Sequence, residues 1–66
     1  MPRRFIQYHD AEVLKETEKA LLVDIYDNEV WVPKSEVNWE ETDVKVEGDK
    51  GTITISEWIA TQKGLT

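Results

Sequence analysis

Two runs of alternating apolar residues, separated by a pair of turn-forming residues, constrain the fold of this chain more than any other feature. Residues 20–26 have the length and the Val, Ile and Tyr content of a strand, and the alternation places Leu21, Val23 and Ile25 on one face. The other face also begins apolar, so we predict a central strand that is covered on both sides in its first half.

The second run, residues 29–33, predicts the returning strand of a hairpin. Asp27 and Asn28 tolerate positive φ angles, so we place a tight turn at these two residues. Alternation then points Val30 and Val32 toward the core and Trp31 the other way. The strand should end at Pro33, since proline cannot donate to a β-ladder.

The remainder of the chain alternates between short elements and turns. We predict a single helical turn at 34–37, an acidic loop at 38–43, and a second hairpin made of strands 44–47 and 52–55 around a turn at 48–51. Ser56 is a candidate N-cap for a helix at 57–63, and Gly64 followed by Leu65 is typical of a helix C-terminus.

These elements predict a mainly β (α+β) protein: a small SH3-like or OB-like barrel, or a curled antiparallel sheet, with one C-terminal helix. A chain of 66 residues has room for one core. We assign residues 11–66 to this domain. Residues 1–10 form an N-terminal segment that either docks on it or remains flexible.

Composition excludes several kinds of chemistry. The chain has no cysteine and one histidine, His9, so it lacks a disulfide, a thiolate metal site and the residues of a nucleophile–base pair. No acidic segment has the spacing of a calcium loop. We therefore predict no catalytic, cofactor-binding or metal-binding residues. The chain also has neither a signal-peptide pattern nor a long apolar run, which favours a soluble, cytoplasmic protein that does not enter a membrane.

The negative charge is concentrated in the middle of the chain. The formal net charge is −6, and the segment from Asp24 to Asp49 holds nine acidic residues against two lysines. Such a segment repels nucleic-acid phosphates and complements a basic protein partner. Tryptophan is common at the centres of protein interfaces. The candidate partner-binding residues are therefore the aromatic, acidic and lysine side chains of this segment: Trp31, Lys34, Glu36, Trp39, Glu40, Glu41 and Asp43.

Four short blocks of the chain resemble a known family. The blocks are KALLV at 19–23, VWVPKSEV at 30–37, ISEWIA at 55–60 and KGL at 63–65. Together they resemble a family of short, mostly uncharacterised proteins of bacteriophages and other mobile elements of bacteria. The first hairpin of that family often carries Asp-Gly-Glu, whereas this chain has Asp27-Asn28-Glu29. The resemblance implies a phage or mobile-element origin and a bacterial host cell, and it brings no catalytic residue with it.

Three functions remain open from the sequence. The first is a non-enzymatic interaction module that binds a basic host or phage protein through the acidic segment, including an inhibitor that mimics phosphates. The second is single-stranded nucleic-acid binding on an OB-like sheet, with Trp31 and Tyr26 stacking on bases. The third is a structural subunit that self-associates through exposed strand edges and aromatic side chains.

Overall fold

The computed structural model describes residues 4–65, which form a curled antiparallel sheet followed by a short helix. The sheet has the order β3-β2-β1-β4. Its strands and the helix are β1 (Phe5–Glu16), β2 (Ala20–Ile25), β3 (Asn28–Pro33), β4 (Lys50–Ser56) and α1 (Glu57–Gln62). Two 3-10 turns lie between β3 and β4, at Lys34–Glu36 and Trp39–Glu41. The predicted fold class, mainly β with one C-terminal helix, is confirmed.

β1 is a long strand that pairs with two neighbours. Its first part pairs with β4, from Phe5 opposite Ser56 onward, and its second part pairs with β2. The pairing register shifts twice along β1, and Asp10 at the first shift has a φ of 59°. Such bulges bend and twist a strand, which lets β1 follow the curvature of the sheet. Residues 5–10 of the N-terminal segment thus belong to the sheet, and residues 1–3 lie outside the described residues.

The β2–β3 hairpin has the predicted faces but a turn one residue earlier than predicted. Leu21, Val23 and Ile25 are fully buried on what we call the inner face of the sheet. The turn residues are Tyr26 and Asp27, with φ angles of 52° and 67°, a pair of positive values typical of a type I′ turn. This register sets Leu21 opposite Val32, whereas a turn at 27–28 would set it opposite a lysine.

The predicted second hairpin is wrong, because residues 44–47 form no strand and β4 pairs with β1 instead. The Asp49 carboxylate accepts hydrogen bonds from the backbone N–H groups of Lys45 (2.9 Å) and Val46 (3.0 Å). A side chain that satisfies the backbone locally competes with a β-ladder. These two bonds also hold the pKa of Asp49 below its ordinary value. Val44 is still fully buried, while Val46 is exposed.

The segment after β3 closes over one edge of the sheet. The helical turn predicted after Pro33 is confirmed, and Val37 behind it forms a β-bridge with Ile55. Further along, backbone N–H groups of Asn38 and Asp43 donate to carbonyls of β4 at 2.8 Å. The outer edge of β4 is thereby covered, and the curled sheet approaches a small barrel.

The predicted ends of α1 are confirmed. The position of Trp58 on this short helix, next to Ile59, predicts a core residue, and that prediction is wrong. The Ser56 hydroxyl accepts from the Ile59 N–H at 3.2 Å as an N-cap. At the other end Gly64 has a φ of 74°, and Leu65 N–H donates to the Ala60 carbonyl at 2.9 Å, which is a Schellman motif. A helix of 6 residues has only one buried stripe, here Ile59 and Ala60, so Trp58 points outward with 60% of its surface exposed.

Candidate protein-interaction surface

Lys34 and Trp39, two of the predicted partner-binding residues, meet at the corner that follows β3. The indole Nε1–H of Trp39 donates to the Lys34 carbonyl at 3.2 Å. The Lys34 ammonium forms an ion pair with Glu16 at 2.8 Å. The indole is therefore held at its polar edge while 37% of Trp39 remains exposed. The charge of Lys34 is already paired within the chain.

The second 3-10 turn presents carboxylates next to this tryptophan. Asn38 caps the turn, since its side chain accepts from the Glu40 N–H and donates to the Glu41 carboxylate, both at 3.2 Å. The carboxylates of Glu40 and Asp43 are exposed, and neither forms a hydrogen bond or ion pair with any residue in the range 4–65. We call this surface the acidic corner, and it consists of Trp39, Glu40, Glu41 and Asp43.

Glu36 lies near the acidic corner but points inward. It is half-buried and accepts a hydrogen bond from the Ser56 hydroxyl at 2.6 Å, so its carboxylate is held at the start of α1. Ser56 in turn caps the helix. Glu36 thus connects the corner after β3 to α1, a contact that sequence reasoning did not anticipate.

Trp31 lies on the sheet, away from the carboxylates with which the sequence grouped it. It stands on the outer face of β3 opposite Leu22, with 42% of its surface exposed. The adjacent cross-strand row on this face contains Glu29 of β3, Asp24 of β2 and Glu12 of β1. We call these three residues the carboxylate row.

The carboxylate row sets like charges directly opposite one another. Glu12 pairs with Asp24, and Asp24 pairs with Glu29, while Lys50 stands at the far side of Glu12. One carboxylate oxygen of Asp24 is shielded from solvent and has no hydrogen-bond partner among residues 4–65. Like charges directly opposite one another on adjacent strands destabilise a sheet. The row can be recognised only when the pairing registers of all three strands are known, so the sequence alone did not predict it.

The placement of Tyr26 and Trp31 bears on the second candidate function, in which these two side chains would stack on nucleic-acid bases. Tyr26 in the β2–β3 turn is 62% exposed, and its ring contacts buried Tyr8 edge-on, with centroids 6.0 Å apart. Burial, and secondarily Tyr26, raises the pKa of Tyr8. The carboxylate row borders Trp31, so the face on which bases would stack carries negative charge.

The one histidine of the chain, His9, lies on β1. His9 is exposed, and its Nδ1 lies 3.0 Å from the Thr52 hydroxyl. Among residues 4–65, no group of three or more histidine, aspartate or glutamate side chains is arranged to hold a metal ion. The same residues include no helix of sufficient length and apolar character to span a membrane.

Comparison with known proteins returns no relative: no family model, no curated protein and no solved structure matches this chain.

Proposed function

We propose that this protein is a non-enzymatic interaction module that binds a basic protein partner through the acidic corner. The observation that carries the proposal is a pair of exposed carboxylates, Glu40 in the second 3-10 turn and Asp43 just after it, that no residue in the range 4–65 binds, in the same segment as a tryptophan whose indole is already held in position. An interface centre of this kind combines an aromatic anchor with charge.

The chemistry of such a site favours arginine or lysine side chains of the partner. A cation over the exposed ring of Trp39 gains a cation–π contact and pairs at the same time with the neighbouring carboxylates. Because the Lys34 carbonyl already holds the indole, less side-chain freedom is lost on binding. The net charge of −6 adds long-range attraction, which raises the association rate with a basic partner.

A sharper form of the proposal concerns nucleic-acid-handling proteins. Carboxylates spaced along an exposed surface can occupy the positions of backbone phosphates in a basic groove. A protein from a phage or mobile element with such a surface would act as an inhibitor or adaptor of a host or phage protein. The acidity of the segment from Asp24 to Asp49 supports this form.

The test is an affinity capture from bacterial lysate that compares charge-reversed variants of equal net charge. One variant carries Glu40→Lys and Asp43→Lys, and the control carries Glu18→Lys and Glu47→Lys, two exposed residues outside the corner. Glu36 is left unchanged because it supports the start of α1. Circular dichroism establishes that both variants fold.

We expect the native protein and the control to capture the same basic protein and the corner variant to lose it. Recovery of a DNA- or RNA-binding protein would support the inhibitor form. Equal capture by all three proteins would refute binding through the acidic corner.

A further inference from the structure

β3 has one edge that no strand in residues 4–65 occupies. β3 stands at one end of the strand order β3-β2-β1-β4. The segment that covers the sheet lies at the other end, against β4. An uncovered edge exposes backbone N–H and C=O groups that can pair with another chain.

The hydrogen-bonding register identifies which backbone groups are available. Lys34 N–H donates to the Lys19 carbonyl at 2.8 Å, so these two residues form a hydrogen-bonded pair at the end of the β2–β3 ladder. Hydrogen-bonded pairs alternate along an antiparallel ladder. Val32, Val30 and Asn28 therefore bond to β2, and Glu29 and Trp31 direct their backbone N–H and C=O groups to the free edge. Pro33 has no N–H, which limits the added ladder at that end.

The side chains beside this edge define the chemistry of what can bind there. Glu29 and Trp31 share the outer face, and Asp24 and Glu12 continue the carboxylate row from Glu29 across β2 and β1. Val30 and Val32 lie between them on the inner face. A strand paired with the edge would place every second residue beside Glu29 and Trp31, and the residues between beside the valines.

We infer that the free edge of β3 binds an extended segment of the partner as an added antiparallel strand, in which Lys or Arg alternates with β-branched apolar residues. The cations would lie on the outer face, paired with Glu29 and in contact with the Trp31 ring. A second copy of this chain fits less well, because it carries the same carboxylate row and the same charge of −6. The inference rests on the proposed function in that both require a basic partner, but it assigns a different surface.

The experiment uses a labelled peptide of alternating Lys and Val, as long as β3 (6 residues), with a Glu-Val peptide as the charge control. Two further peptides carry N-methyl groups, one on all Lys residues and the other on all Val residues. In an antiparallel added strand, the residues directly opposite Glu29 and Trp31 direct both their side chains to the outer face and their N–H groups to β3. Methylation at Lys therefore removes the hydrogen bonds to the edge, whereas methylation at Val spares them.

We expect the Lys-methylated peptide to bind at least about tenfold more weakly than the parent, and the Val-methylated peptide to bind nearly as well. Hydrogen exchange at the amides of Glu29 and Trp31 should slow when the parent peptide is bound. Glu29→Gln should weaken binding about two- to fivefold, while the matched variant Glu18→Gln should leave it unchanged.

Two results would overturn the inference. Equal binding of both methylated peptides, or unprotected Glu29 and Trp31 amides, would show that the peptide does not pair with β3. A concentration-dependent dimer with these amides protected in the absence of peptide would assign the edge to a second copy. Neither result bears on the acidic corner, which is judged by the variant with Glu40→Lys and Asp43→Lys.

Discussion

Replacing Asp24 with asparagine should stabilise the protein, because the carboxylate row places this side chain between two others of the same charge. Asp24 stands opposite Glu12 on one side and Glu29 on the other, and no residue from 4 to 65 forms a hydrogen bond with one of its shielded oxygens. Each like-charged cross-strand pair costs roughly 0.2–1 kcal/mol. Asparagine has nearly the same shape, removes both repulsions, and offers N–H donors to the neighbouring carboxylates.

We therefore expect Asp24→Asn to raise the free energy of unfolding by about 1 kcal/mol. For a domain of this size that corresponds to an increase in Tm of about 4–8 °C. The part due to repulsion should shrink in 1 M salt, where the screening length falls to about 3 Å. Thermal and urea unfolding at pH 7, each at low and high salt, measure both quantities.

The matched control is Glu47→Gln, which removes one negative charge from an exposed residue outside the sheet. It should change the free energy of unfolding by less than about 0.5 kcal/mol. A stability of Asp24→Asn equal to or below that of the control would refute the argument, because the cross-strand repulsion would then have no measurable cost.

Three further substitutions test other contacts. Ser56→Ala removes the N-cap of α1 and should lower the free energy of unfolding by about 1–2 kcal/mol in urea titrations, and an unchanged midpoint would contradict the capping role. Tyr8→Phe removes a buried hydroxyl that has no hydrogen-bond partner in the described part of the chain, so stability should stay level or rise by about 1 kcal/mol. A loss above about 1 kcal/mol would reveal a partner for the hydroxyl. Because the pKa of Tyr8 is raised by burial and then by Tyr26, the native protein should lose stability as pH rises above the ordinary tyrosine pKa, and the Phe variant should lose less. The pKa of Asp49 is lowered in the folded protein, so its contribution to the free energy of unfolding is present above its ordinary pKa and is lost as pH falls through the folded value. Asp49→Asn should therefore reduce the loss of stability at acid pH. An unchanged dependence of stability on pH would contradict the role given to the two hydrogen bonds.

The features that the sequence predicted well depend on contacts between residues close together in the chain. The cap at Ser56, the glycine C-terminus at Gly64 and the helical turn after Pro33 all follow from local stereochemistry. The inner faces of β2 and β3 follow from period-two alternation. In each case the residues that decide the structure lie within a few positions of one another.

The features that the sequence missed depend on partners far away along the chain. Residues 44–47 alternate like a strand, but β4 pairs with the longer strand β1 instead. The Asp49 carboxylate accepts the backbone N–H of Lys45, which a strand would have used for pairing. Trp58 is a large apolar residue of the kind that cores contain. The orientation of α1 on the sheet buries Ile59 and Ala60 instead and leaves Trp58 exposed.

The candidate site also contains residues whose grouping the sequence predicted and residues whose grouping it did not predict. Lys34, Trp39 and the carboxylates of the second 3-10 turn are close in sequence and close in space, so their grouping was predictable. Trp31 was grouped with them by its position in the acidic segment, but its strand carries it to a different surface. The carboxylate row joins three strands, and only their combined register brings it together.

The pairing of β1 with β4 has a consequence for biosynthesis. A nascent chain exposes one edge of β1 until Ser56, the residue opposite Phe5, has left the ribosome. At ordinary elongation rates the intervening fifty or so residues take about 3–10 s to synthesise. The β1–β2–β3 meander can form during that interval, and the sheet closes only when β4 arrives. Synonymous codons that slow translation just before residue 50 would lengthen the period in which nascent chains can associate through β1.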